Sequence, residues 1–244
     1  MSEDTEPTEE QNVQPDSNEK SEADNQEAMK NRFKLIDGEE VLHVKQPSGV
    51  GFLNMYVLGL LVFGVHIIFW KPDMLVDDES GGIAKAIVWV MELGGSKLPF
   101  GFVLVMATIT WFNRMLNSST SGKWVTVWLL IATLLPVLIQ IDGLIALIRD
   151  LFSDADVEPF LGFEYNFLIA GIVLTLAFWG LIFYYQRSFD YAITSNAVIF
   201  KHAFLLSRAH RRILFDRISE VQVERTPIGT MTGYATLTIL TDSG

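Results

Sequence analysis

RSFDYAITSNAVIFKHAF, residues 187–204, is the stretch on which the fold turns. The residues ahead of it, Tyr165–Gln186, are mostly apolar and carry no formal charge. From Arg187 onward the hydrophobic period drops to two: Phe189, Tyr191 and Ile193 alternate with polar positions, then Val198 and Phe200 resume the pattern. Alternation of that kind is the mark of a half-buried strand. Thr194-Ser195-Asn196 between the two runs is a turn, because Asn tolerates the left-handed backbone that tight turns require. A long apolar helix therefore hands over directly to an antiparallel sheet, and the fold class expected is an α+β membrane protein.

Downstream, Arg208–Phe215 reads as a third strand with Ile213 and Phe215 on one face, and Asp216-Arg217-Ile218 as a corner. Val221, Val223 and Arg225 mark a fourth strand, Thr226–Gly233 a loop with Pro227, Gly229 and Gly233, and Tyr234–Leu240 a fifth strand. Thr241-Asp242-Ser243-Gly244 is a hairpin turn signal.

Upstream, four segments have the length and apolarity to cross a hydrocarbon core of ~30 Å as helices: about residues 51–70, 98–116, 124–141 and 165–186. Backbone groups in lipid must be satisfied internally, so such spans are helical. Trp70, Trp124, Tyr184 and Tyr185 lie at their ends, where amphipathic rings suit the interface. Gly82–Leu93 and Gly143–Phe152 are shorter and carry charges, and read as interfacial helices. Basic residues cluster before the first span and after the fourth, and the loop Asn117–Lys123 has Lys123, with Arg114 just before it, and no acid. The positive-inside rule then places both termini in the cytoplasm of a multi-pass protein in the cell membrane.

Residues 1–30 contain ten acids against Lys20 and Lys30, so they hold −8 of the formal net charge of −11. With almost no large apolar side chains they are expected to be a disordered acidic tail, a solvated segment in the simpler reading and a partner-binding arm in the other. Residues 31–50 form an amphipathic lead-in in which Leu42–Lys45 is a candidate short strand. The membrane region is then 51–186 and the module after it 187–244.

The run from Phe189 to Gly244 resembles the bacterial pleckstrin-homology-like domain of YdbS-type membrane proteins. Tyr191, Ile193, Thr194 and Val198 carry the likeness in the first hairpin, followed by Ile213-Leu214-Phe215-Asp216-Arg217-Ile218 and Gly233-Tyr234-Ala235-Thr236-Leu237. GEEVLHVKQPS, residues 38–48, resembles the family's segment before its first span. The likeness covers roughly 38–70 and 187–244. It implies a strongly bent antiparallel sheet capped by a C-terminal helix. Residues 187–244 supply strands and no such helix, so the module is expected to be incomplete. The family commonly has fewer spans than the four expected here.

No set of residues points to catalysis. The absence of Cys excludes thiolate chemistry and Cys-ligated metal, and His43, His66, His202 and His210 stand in no metal-binding array. Thr120–Lys123 (TSGK) lacks the glycine and hydroxyl spacing of a phosphate loop. Asn117-Ser118-Ser119 is a glycosylation sequon on the wrong side of the membrane. No enzyme activity, cofactor or metal is expected. One charge feature suggests a partner: Lys201, Arg208, Arg211 and Arg212, with His202 and His210 among them, on a module tethered beside the inner leaflet. Anionic lipid headgroups are the expected contact, against the plainer reading of a solvated strand face. Other membrane proteins or a second copy are further partners; nucleic acid is not expected, since Phe200 and Phe204 read as core. The alternative to a lipid- or protein-binding scaffold is a small transporter or channel lined by His66, Gln140 and Asp142.

Overall fold

The computed structural model describes residues 17–72, 81–93, 99–116, 123–152 and 164–242. The loop 117–122, with the sequon and most of the TSGK run, lies outside the described residues, as do residues 1–16 and 243–244. The chain divides into two units: Met1–Pro47 with Arg187–Gly244, and Ser48–Gln186.

The second unit is helical: α2 Leu53–Trp70, α3 Gly82–Met91, α4 Phe100–Leu116, α5 Lys123–Ile139, α6 Ile141–Phe152 and α7 Phe167–Arg187. Two stretches, Gly49–Trp70 with its leading 3-10 turn and Phe167–Arg187, are long and apolar enough to cross a membrane. A third joins them if α5 and α6 count as one span, although the pair is bent by 61° at its break. Helix α4 is apolar but, at 17 residues, shorter than these. The expected first and fourth spans thus have full length, whereas the third breaks at Gln140. There the Gly143 N–H turns to the Asp142 carboxylate at 2.9 Å, and α6 starts anew in a different direction.

Helices α2 and α7 pack antiparallel along their length. Trp179 Nε1 donates to the Tyr56 carbonyl at 3.3 Å, Phe52 and Tyr185 meet edge to face at 5.8 Å, and Gly49 lies beside Gln186. Two glycines allow the approach: a Cβ on Gly59 would lie 2.6 Å from Trp179 Nε1, and one on Gly171 would lie 2.6 Å from His66 Cβ. Small residues at such contacts matter in lipid, where burial of apolar surface no longer drives helices together and close packing must do so. Phe178 stacks on Trp128 at 4.3 Å in a core with Met55, Val62, Phe102, Met106, Leu129 and Ile182.

The first unit is built from two separate pieces of chain. The N-terminal piece gives α1 Ser17–Phe33 and β1 Val41–Lys45. The C-terminal piece gives β2 Phe189–Thr194, β3 Ala197–Phe204, β4 Ser207–Leu214, β5 Ile218–Glu224, α8 Pro227–Thr232 and β6 Thr236–Thr241. Strands β1-β2-β3-β4 form one antiparallel sheet and β5-β6 a second. The lead-in is therefore part of the sheet, with Val44 opposite Ala192 and Lys45 opposite Tyr191. The module does not start at residue 187, as expected, but is split around the helices.

Disorder over residues 1–30 was the sequence expectation, yet Ser17–Lys30 lie in α1. The reason is a small apolar contact at its C-terminal end. Phe33 is fully buried against Ala192 and Ile199, with Met29, Leu35, Val41 and Val44 around it. Burying a Phe side chain stabilises by about 2 kcal/mol, which anchors a helix whose other residues are almost all polar. The expected loop over 226–233 is also partly helical. Thr226 caps α8 by accepting the Gly229 N–H at 3.0 Å, Pro227 stands at its start, and Gly233 ends it at φ 75°.

Two hairpins join β2, β3 and β4, each through a two-residue loop: Ser195-Asn196 and Leu205-Leu206. Leu205 has φ 48°. A left-handed backbone costs an L-residue with a Cβ about 1–2 kcal/mol, and such turns are ordinarily filled by Asn, Asp or Gly.

Candidate functional site

The basic residues of β3 and β4 divide by strand parity. Pairing sets Ile199 opposite Arg212, Lys201 opposite His210 and Ala203 opposite Arg208, all on the face that receives α1. Phe200 opposite Arg211 belongs to the other face. The four cations expected to form one patch are thus not one surface.

Two of them, Lys201 and Arg212, are committed to holding the fold, the first together with His210. Lys201 Nζ donates to the Arg32 carbonyl at 3.0 Å, and His210 Nε2 lies 3.2 Å from the Phe33 carbonyl. These carbonyls belong to the last turn of α1, where the helix leaves acceptors without internal partners and carries partial negative charge. Asp190, opposite Lys201 on β2, accepts from Arg32 at 2.6 Å and from Gln46 at 3.2 Å. A row of Asp190, Lys201 and His210 therefore grips the C-terminal end of α1.

Arg212 is the centre of the second set. Its guanidinium pairs at 2.5 Å with Glu39, whose side chain is fully buried. The Thr194 hydroxyl donates to the other Glu39 oxygen and accepts the Ala197 N–H at 3.0 Å. The Ile36 N–H also donates to Glu39, at 3.1 Å. Burial pushes the Glu39 carboxyl up, but the hydrogen bonds from Thr194 and Ile36 and the charge and hydrogen bond of Arg212 outweigh it, and the carboxyl is held below its ordinary value. Nothing in the sequence around Glu39 distinguishes it from Glu40; the chain just ahead of β1 sets Glu39 against Thr194 of β2 and Arg212 of β4.

Arg208 and Arg211 remain. Both are exposed, on opposite faces of β4, and neither pairs with a carboxylate among the described residues. On the face of Arg211, Phe189 stacks on His202 at 4.2 Å and Tyr191 packs on Phe200 at 5.3 Å. Burial pushes the His202 imidazole below its usual value, which disfavours its charged form. Phe204 is buried, as expected for core. Between Phe204 and Arg208 the loop leucines stand out: Leu205 is 60% exposed and Leu206 102% exposed. No turn or charge signal in the sequence singles them out.

The polar residues considered for transport have structural positions. His66 is fully buried, its Nδ1 2.8 Å from the Val62 carbonyl and its Nε2 3.2 Å from the Tyr165 hydroxyl, with the Phe102 ring at 4.8 Å. Asp142 is buried at the start of α6, and Gln140 sits at the break before it.

No curated protein and no solved structure matches the chain. A family model does: that of the bacterial PH domain, over residues 102–244. The match begins inside α4 and runs through the sheets, taking in the last apolar helices together with the strands they lead into. It spans more than half of the sequence, and the chain belongs to the bacterial PH domain family.

Proposed function

We propose that this is a multi-pass membrane protein that displays a PH-like module at the cytoplasmic face, for contact with lipid or with other proteins and without turnover. The observation that carries the reading is the split sheet. Strand β1 leads into the apolar helices and β2 follows them, and the two strands are antiparallel neighbours. Chain leaving one end of the sheet returns to that same end, so the number of crossings is even. Two full-length apolar helices, a bent third and a shorter fourth then support four crossings, with both halves of the sheet on one side. The excess of Arg and Lys after α7 supports the cytoplasmic side. For interaction, Arg208 and Arg211 are the cations to test; each basic group near an anionic leaflet gains about 1 kcal/mol. Transport has weaker support, because His66 is engaged in helix packing and Asp142 in starting α6.

The chain has no cysteine, which makes single-cysteine labelling unambiguous. Ser195→Cys in whole cells should react with an impermeant maleimide only after permeabilisation, and Gly81→Cys should react without it. Labelling of both from the same side would overturn the topology. Substituting Arg208→Glu together with Arg211→Glu should lower the anionic lipid that the purified full chain retains. Unchanged retention would leave protein contact as the module's role.

A further inference from the structure

The β3–β4 loop combines features that do not serve the fold. Leu206 is fully exposed, Leu205 is more than half exposed, and Leu205 holds a left-handed backbone, φ 48°, that an Asn or Gly would adopt without strain. A local choice that works against stability points to a role outside the fold. The loop's place in the sheet says what that role is. Phe189 pairs with His202, and the Ala203 N–H donates to the Ser188 carbonyl at 3.0 Å. The loop thus projects past the start of β2, at the end of the sheet where the chain arrives from α7, which ends at Arg187. At ~3.3 Å per residue along a strand, the leucines extend on the order of 10 Å past the row that joins Ser188 and Ala203. The chain thus enters β2 directly from an apolar helix long enough to span a bilayer, and it enters at the end of the sheet that carries the two exposed leucines. Arg208 follows on the same hairpin, opposite Ala203.

We infer that the Leu205-Leu206 tip inserts into the headgroup–acyl boundary of the bilayer that α7 leaves, with Arg208 lying at the depth of anionic headgroups. The inference rests on the membrane reading above. Apolar tips flanked by cations suit this boundary, since the leucines lose contact with water while the guanidinium stays in the polar layer. Chain continuity favours the bilayer over a partner protein as the occupant, since Ser188 alone separates α7, which ends at Arg187, from β2.

The test uses the full chain in nanodiscs, with single cysteines carrying an environment-sensitive fluorophore and with nitroxide-labelled lipid as quencher. Leu206→Cys should be quenched by lipid severalfold more than Ser195→Cys, which lies in the loop at the opposite end of the same strands. Leu61→Cys, on an exposed face of α2, reports on the underlying reading. Quenching at 61 without quenching at 206 overturns the insertion alone; absence of quenching at both overturns the membrane assignment as well. Protection of residue 206 from aqueous iodide without quenching by lipid would show a protein contact, and would also overturn the insertion. Replacing Leu205-Leu206 by Asn-Gly and moving the label to Ser207→Cys should reduce lipid quenching severalfold relative to the parent loop, while the sheet stays folded. Equal quenching in the two loops would contradict the role assigned to the leucines.

Discussion

The two hairpins that flank β3 have loops of equal length and opposite character. In Ser195-Asn196 the neighbouring Thr194 holds the Ala197 N–H and the buried Glu39, and the Ser195 N–H donates to the Glu40 carbonyl at 2.9 Å. The loop is thus tied to β1 through Ser195 and to the end of β4 through the Asn196 carbonyl, which accepts the Phe215 N–H at 3.1 Å. In Leu205-Leu206 one residue is strained and both are apolar and exposed. The first loop closes the sheet onto the chain that precedes the apolar helices. The second lies at the end from which those helices are reached. One end of the sheet is thus built for stability, and the other gives up stability for a surface.

Several substitutions would break or sharpen that contrast. The largest effect is expected for Phe33→Ala, which removes the fully buried anchor of α1 and should destabilise the module by about 3 kcal/mol, read as a lower denaturation midpoint with loss of protection in β1. Next, Arg212→Ala leaves Glu39 without its cation. A cost of about 2 kcal/mol is expected, less than for a fully buried broken pair because Arg212 is itself partly exposed. Acid should act on the same pair. Because the Glu39 carboxyl is held below its ordinary value of 4.5, its contribution is complete above that value and is lost as pH falls through the folded-state value. The parent should therefore lose stability on acidification more steeply than Glu39→Gln; parallel curves would deny Glu39 that role. The smallest effects concern the loops. Asn-Gly in place of Leu205-Leu206 should stabilise by about 1 kcal/mol, whereas Leu-Leu in place of Ser195-Asn196 should destabilise. A destabilised Asn-Gly variant would mean that the leucines support the fold after all.

The hydropathy of the sequence revealed α2, α4, α5 and α7 to within a few residues, because a helix in an apolar segment depends on local composition. The strands from Phe189 to Leu214 were legible for the same reason, through their alternation. What escaped depends on contacts distant in sequence. Helix α1 is polar by composition and is held through Phe33, Arg32 and its terminal carbonyls to residues more than 150 positions away. The basic cluster was visible, but its division was not: Lys201 and Arg212 look like Arg208 and Arg211 until the register assigns each to a face. The bend at Gln140 was hidden because Gly143 could equally end a helix or start one. The short helix α8 had left a signal in Thr226-Pro227 and Gly233, read as a loop because six residues are too few to show a period.

The central claim is that chain on the two sides of the apolar helices forms one sheet at one membrane face. His43 and Ile193 are register partners on β1 and β2, and both are exposed. In the double variant His43→Cys/Ile193→Cys, a short thiol cross-linker applied to native membranes should join the two residues. Proteolysis of a loop between them should then leave the halves in one band that reduction or omission of the reagent separates. Separate halves, from cysteines that each label freely and from opposite sides of the membrane, would contradict the account.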